Sequence, residues 1–362
     1  MRILIVATSF PNPPVDSLTG ETYRRVRQLA LRHCVTLLAP AREGVEPHHL
    51  EEFRALGIRV ELTPALPAAS LWRRAVHLGT GRLPWPVKFF DETQLRTVLA
   101  SLAQPGHHDV VHLEHVYLAA LLPGALGLPT VLTLPDPMSL DYLVRISTEL
   151  RLWRRLEWWL EATRARRMER SLLTRARQVV VLTERDARYL RTVSPSLPVA
   201  VVPLSVETER FKPLPPPPDP CCLVYHGSLD FGPNREAVTH LLTTLFPAIR
   251  CRCRDARLLI AGRGASPAIR RLVHEQPSVT LVEDPEDIRP SIGAGLIHVN
   301  PVRRALGTQN KTLEAMAMGR AVVTTPALAV GAGQKLIHFN ANVRPPGDVT
   351  CQGVVVEMAA VC

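Results

Sequence analysis

The stretch "GTQNKTLEAMAMGRAVVTT", Gly307–Thr325, reads as a polar loop, a short helix, a glycine and a strand. The small residues Ala315, Ala317 and Gly319 let such a helix lie close to a sheet, and "AVVTT" is that sheet's next strand. A helix that starts near Asn310 puts Lys311 and Glu314 in its first turn or so, their side chains tilted back toward the loop. Backbone amides from Gly307 to Thr312, the helix dipole and a full charge on Lys311 would then form an anion site suited to phosphate. A carboxylate beside a phosphate site fits a nucleotide, because a ribose diol needs an acceptor. The plainer reading is a capped helix with an exposed Glu and Lys, and spacing alone does not separate the two.

Outward from this stretch the same rhythm repeats. Apolar runs at 2–8, 34–40, 58–64, 109–115, 129–135 and 178–184 alternate with helical patterns, as in a parallel sheet covered on both faces. The proline-rich stretch 204–220 breaks the series and reads as an interdomain linker. A second series follows: "CCLVYHGSL", a long helix over "NREAVTHLLTTLFPAIRCRC", "ARLLIAGRG", "SPAIRRLVHE", "VTLVED" and "GLIHVNP". The domains are therefore expected at 1–203 and 221–326, joined by 204–220, with an atypical tail at 327–362. In such sheets ligands bind at the carboxyl ends of the strands.

The 362 residues carry 43 Lys and Arg against 33 Asp and Glu, a net charge of +10 that favours an anionic partner. No apolar run is long enough for a membrane-spanning helix, and the amino terminus reads as a first strand rather than a leader. The seven cysteines lack zinc-ligand spacing and read as free thiols. No HExxH, Walker or GxGxxG stretch follows a strand, which disfavours an NAD enzyme. His77, His107 and His108 read as surface residues.

The Gly307–Thr325 stretch resembles the donor-site signature of family 4 glycosyltransferases with the GT-B fold. "GSLDFGPNREAV" (227–238), "LLIAGRG" (258–264), "EDIRP" (286–290), "VVVLTERDARYL" (179–190) and "HLEHVYLAALL" (112–122) are similar to other segments of that family, in the expected order from about residue 2 to 326. The branch it most resembles contains sugar transferases of exopolysaccharide systems. The resemblance implies two Rossmann-like domains facing across a cleft, the carboxyl-terminal one holding a nucleotide-sugar and the other a glycan or lipid-linked acceptor. It implies transfer with retention, no metal and no cofactor, in the cytoplasm or peripherally at the inner face of an anionic membrane, with no nucleic-acid partner. Carried over residue by residue, Glu314 accepts the ribose hydroxyls. Lys311 and the amides of Gly307, Thr308, Gln309 and Asn310 lie by the phosphates or sugar. Gly227 and Ser228 form the turn where backbone approaches diphosphate, with Arg263 and Arg235 as cations near it. Gly20 lies in the amino-terminal glycine loop, and His115 is the acceptor-side histidine near the reacting centre.

The departures from that pattern are specific. Leu306 stands where the wider family has a second glutamate. Ser228 and Pro233 fall about where an Arg and Lys pair is usual. The histidine motif is offset, so that Glu114 and His115 share the claim, and Asp136 lies on a further strand-end loop. A non-catalytic nucleotide-sugar binder, or a hydrolase or epimerase on the same scaffold, is the alternative.

Three further stretches bear on partners and completeness. "RLWRRLEWWLEATRARRMER" (151–170) reads as a core helix with Leu152, Leu156, Trp159, Leu160 and Thr163 inward. An interfacial helix on anionic lipid is the alternative there. The stretch 70–90, with Trp72, Trp85, Phe89 and Phe90 beside Arg73, Arg74 and Lys88, is the stronger candidate for acceptor or membrane contact. The tail after Thr325 lacks the long final helix of the family, so the carboxyl terminus is expected to be incomplete and poorly anchored from about 327.

Overall fold

A computed structural model of the chain describes residues 1–11, 17–41, 45, 47–64, 84, 92–104, 106–120, 127–215, 217, 219–303, 309–325, 328 and 355–357. It divides into two units, Met1–Pro203 and Leu204–Cys362. In the first, β1 (Arg2–Val6), α1 (Ser17–Ala30), β2 (Cys34–Pro40), α2 (Pro47–Ala55), β3 (Arg59–Thr63), α3 (Glu92–Leu102), β4 (Val110–Glu114) and α4 (Val116–Ala119) come in order. They are followed by β5 (Thr130–Leu134), α5 (Met138–Thr148), α6 (Leu152–Leu172), β6 (Gln178–Val181), α7 (Glu184–Val193) and β7 (Val199–Val201). The strands form one parallel sheet in the order β3-β2-β1-β4-β5-β6-β7. Residues of β1 alternate between two cores: Leu4 and Val6 pack with Leu38, Val111 and Leu132, whereas Ile3 and Ile5 pack with Leu37, Tyr23 and Phe53. Both faces are covered, so the strands read as unbroken apolar runs rather than alternating ones.

The second unit contains β8 (Cys222–His226), α8 (Gly232–His240), α9 (Phe246–Arg252), β9 (Arg257–Gly262), α10 (Pro267–His274), β10 (Val279–Glu283) and α11 (Arg289–Gly293). It continues with β11 (Ile297–Asn300), α12 (Asn310–Ala317), β12 (Ala321–Thr324) and β13 (Val355–Glu357). The sheet is parallel again, in the order β10-β9-β8-β11-β12-β13. In each sheet the strand order reverses beside the first strand, between β1 and β4 and between β8 and β11. Those points are where a doubly wound sheet opens a crevice at its carboxyl edge.

Several expectations change in detail. The long helix expected from Asn234 onward is interrupted: a π turn over Leu241–Leu245 separates α8 from α9. Pro247 follows at the start of α9 and has no N–H to give to the preceding turn, which loosens there. Described residues of the proline-rich 204–220 stretch pack against the rest of the second unit. Phe211 is buried with Ile292, Ala315 and Met318, Leu214 N–H donates to the Met318 carbonyl, and Arg320 donates to the carbonyls of Pro215 and Gly293. His108 is buried, bonded to the Leu102 carbonyl (2.8 Å) and the Thr36 hydroxyl (3.0 Å), not a surface residue.

The inward stripe expected on α6 is also corrected. Leu152, Leu156 and Trp159 are exposed, and the buried side chains begin at Glu161 and Ala162. Glu169 shows why the later turns pack: it accepts the Ser139 N–H (3.1 Å) at the start of α5, where Pro137 offers no side-chain cap. From the tail, Leu328 is buried with Ala237 and Val302, and Val355–Glu357 pairs with β12. The other tail residues, and 70–90 except Pro84, lie outside the described residues. No described helix is long and apolar enough to cross a membrane.

Candidate functional site

At the end of β8 the chain turns at Gly227, whose φ of 149° disfavours any residue with a Cβ. Its N–H donates to the Ala261 carbonyl (3.0 Å), and Leu229 N–H donates to the Arg263 carbonyl (2.7 Å). The turns after β8 and β9 are thus laced together. A Cβ on Gly262 would fall 1.8 Å from the Gly227 carbonyl oxygen, and one on Gly264 would fall 2.9 Å from the Asp230 Cβ. Gly262 permits contact between the two turn backbones and Gly264 leaves room for the Asp230 side chain, and a larger residue at either would force a shift.

Lys311 enters this turn from below. Its Nζ donates to Asn234 Oδ1 (2.7 Å) and to the Tyr225 hydroxyl (2.9 Å), and it lies 4.7 Å from the centre of the Tyr225 ring. A Cβ on Gly227 would sit 3.0 Å from this Nζ, so the glycine also makes room for the lysine. Asn234 closes the arrangement by donating from Nδ2 to the Ser228 carbonyl (2.9 Å). The sequence placed a full charge at an open loop mouth; the structure buries the amine beneath the turn instead. Burial pushes its pKa down to about 7, with Glu314 opposing the shift.

Glu314, one turn further on, remains partly exposed and is held from behind. Its Oε2 lies 2.9 Å from His226 Nε2, and His226 Nδ1 lies 2.8 Å from His298 Nε2. A carboxylate can only accept, so His226 Nε2 carries the proton and donates. Burial, His226 and Lys311 push the His298 pKa well down and keep that ring neutral. His298 Nδ1 is a buried nitrogen without a hydrogen-bond partner. Two hydrogen bonds thus line up His298, His226 and Glu314 behind the site.

The remaining candidates of this unit divide. Gln309 accepts from Asn300 Nδ2 (3.0 Å), which also donates to the Thr312 hydroxyl (3.1 Å); these bonds tie the start of α12 to the end of β11. Asn310 begins α12 and is half-buried. Arg263 is exposed in the turn after β9. Arg235 is exposed on α8, where with Glu236, Ser266 and Arg303 it lines an open depression that includes neither Lys311 nor Glu314. Gly307, Thr308 and Leu306 lie outside the described residues. Sequence reasoning missed Tyr225, Asn234, His226 and His298. The position of His226 before the glycine turn, at the end of an apolar run, is the one local signal that could have flagged it.

In the first unit, Gly20 lies within α1, not in a loop, and is buried. Glu114 is buried and paired with Arg25, which also reaches Glu21 (3.3 Å). His115, next in the chain, has φ 146°, an uncommon conformation for a residue with a Cβ. Its ring stacks on Tyr117 with centroids 3.5 Å apart, and its Nδ1 is buried without a partner. Burial pushes its pKa down to about 3, so the ring is neutral. Of the two residues sharing the motif, Glu114 is committed to an ion pair and His115 keeps hydrogen-bonding capacity at the strand end. Asp136, after β5, likewise has a buried Oδ1 without a partner; burial, with Asp186 and Asp141 adding to it, pushes its carboxyl well above the usual range. Among the described residues no group of three or more His, Cys, Asp and Glu side chains is arranged to hold a metal ion.

A glycine turn over a buried amine, with a carboxylate beside it at the switch point, is what a nucleotide-handling α/β domain presents, here on the second of two such sheets. Residues 20–205, more than half of the chain, match the family described as "Glycosyl transferase 4-like domain", and residues 220–350 match "Glycosyl transferases group 1". The chain belongs to these glycosyltransferases, and its fold is of the GT-B type. Among curated protein sequences none matches. Among solved structures it is similar to HepE of Anabaena in complex with UDP-glucose (13% identity, TM-score 0.57, covering 92% of this chain and 82% of that one). It is also similar to sucrose-phosphate synthase from Thermosynechococcus elongatus (19%, 0.58, 91% and 82%). A third is Arabidopsis thaliana UGT89C1 complexed with UDP-L-rhamnose (15%, 0.53, 90% and 79%).

Proposed function

We propose that this glycosyltransferase moves a sugar from a nucleotide-sugar, with retention and without a metal, to a glycan or lipid-linked acceptor in polysaccharide biosynthesis. It works in the cytoplasm, in peripheral contact with the inner face of an anionic membrane. The observation that carries the donor reading is the joining of the Gly227 turn, Lys311 and Glu314 at the β8–β11 switch point. UDP-sugar complexes of two similar structures support it. Glu314 accepts the ribose hydroxyls, and its Oε2 is already oriented by His226. The diphosphate lies over the Gly227 turn, where its charge draws a proton onto Lys311. As the bond to the sugar breaks, charge builds on the leaving diphosphate, and the ammonium stabilises it there without a metal. His115 faces the acceptor side.

A thermal-shift panel of UDP, GDP, ADP and CMP tests the reading, followed by incubation with the sugar derivative of whichever nucleotide binds. UDP is expected to raise the melting temperature; saturation at a hundred times Kd corresponds to about 2.7 kcal/mol. No shift with any of the four would count against the donor site. Donor consumed without acceptor would mark a hydrolase or epimerase, and binding without consumption a non-catalytic protein.

The depressed pKa of Lys311 gives a second measurement. In the free protein the unfolded chain binds more protons at this lysine than the folded one between about pH 7 and the ordinary value of 10.5, so its contribution to stability rises with pH across that window. A diphosphate over the turn restores the ammonium form. UDP binding at pH 8 is therefore expected to take up close to one proton, read by calorimetry in two buffers of different ionisation enthalpy. Uptake unchanged in Lys311→Met would assign it elsewhere.

A further inference from the structure

The amino-terminal half of α6 carries a row of large apolar side chains that the described residues leave uncovered. Leu150 is 94% exposed, Leu152 76%, Trp153 62%, Leu156 59% and Trp159 54%. Leu152, Leu156 and Trp159 recur at i, i+4 and i+7 and share one face, with Trp153 beside them and Leu150 leading in from the preceding turn. No residue from 151 to 160 is buried. Trp158 alone of the three tryptophans turns back to the domain, stacking on Tyr142 with centroids 5.8 Å apart. Apolar side chains exposed singly need no explanation, but a contiguous row of them marks a surface that meets something.

Charge decides what it meets. From 143 to 167 the chain has seven arginines and three glutamates. Arg151, Arg154 and Arg155 are interleaved with the exposed Leu and Trp residues, and the Arg154 guanidinium lies 5.1 Å from the centre of the Trp153 ring. Glu149 is engaged locally, 3.9 Å from Arg154 and accepting the Arg151 N–H (3.1 Å). Arginine and tryptophan are common in protein interfaces too, but a second copy of this chain meeting the face by two-fold symmetry would set the arginine cluster against itself. An anionic bilayer satisfies both sets of groups. Leu and Trp enter the acyl boundary, the arginine stems lie along them, and the guanidiniums reach the lipid phosphates.

We propose that the amino-terminal half of α6, with Leu150, is the surface by which this protein lies on an anionic bilayer. The inference rests on the peripheral setting proposed above and names its surface; the donor site takes no part in it. Co-sedimentation of the full chain with vesicles of equal parts phosphatidylglycerol and phosphatidylcholine, against phosphatidylcholine alone, tests it. Binding to the anionic vesicles is expected to be at least about tenfold the stronger. Trp153→Ser with Leu156→Ser should lower it about tenfold or more, and Arg151→Glu with Arg155→Glu should remove the preference for anionic lipid. All four side chains are exposed, so circular dichroism and the UDP-induced thermal shift should be those of the unsubstituted protein. If the unsubstituted protein ignores anionic vesicles, both the surface and the peripheral setting fail. Unchanged binding of the Ser pair overturns this surface and leaves the peripheral setting standing. A dimer that the Ser pair disperses, without vesicle binding, overturns the proposal in favour of a protein interface. Vesicle binding with no UDP shift supports this surface and counts only against the donor reading.

Discussion

Lys311→Ala is expected to lower turnover about a hundred- to a thousandfold while raising the donor KM by less than tenfold. The magnitude is that of removing one preorganised donor aimed at developing charge. The split follows from where the lysine acts: in the ground state it leans on Asn234 and the Tyr225 hydroxyl, and its charge matters most when the diphosphate departs. Alanine would also leave a void under the Gly227 turn, so Lys311→Met, which keeps most of the volume, is the companion variant. Steady-state kinetics on both, with melting temperatures, separate the effects. If both variants raise KM and leave kcat near that of the unsubstituted enzyme, Lys311 merely holds the bound nucleotide.

Glu314→Gln is expected to weaken nucleotide binding about ten- to a hundredfold with little change in melting temperature. A hydrogen bond to a charged acceptor contributes about 1.5–3 kcal/mol, which is that range in affinity. Glutamine keeps an oxygen for the His226 proton, so the local packing survives and the loss falls on the ligand. Calorimetric titration of UDP into both proteins measures it, and equal affinities would remove Glu314 from the site.

Much of the architecture could be read from the chain because strands buried on both faces leave unbroken apolar runs, as in "RILIV" and "CLVYH", and helices between them complete the pattern. Two strands were missed for a local reason: Val199–Val201 lies among prolines, and Val355–Glu357 follows a stretch of sequence with no helical period to frame it. Spacing identified Lys311 and Glu314 but not the surroundings that set their chemistry. Tyr225 and His226 come from a strand more than eighty residues earlier and meet α12 only once the sheet is closed. On α6 the periodicity was genuine and its direction misread. A 3.6-residue repeat shows that a helix has an apolar face, not whether a sheet lies opposite it, and the first turns of α6 overhang the packed region. The proline run concealed its own anchor, because Phe211 is a single buried ring closing a short turn that begins at Glu207, with no periodic pattern around it.

The hydrogen-bonded imidazoles behind Glu314 also bear on how such an enzyme could diverge. His298 is a core strand residue that the proposed donor never reaches, yet it is hydrogen-bonded to the ring that holds the carboxylate. A replacement there that packs equally well but cannot hydrogen-bond would free His226 to turn, and affinity for the nucleotide would drift while every residue facing the ligand stayed the same. Selection for a different donor thus has a handle inside the hydrophobic layer, and two homologues with identical cleft residues need not share a substrate preference.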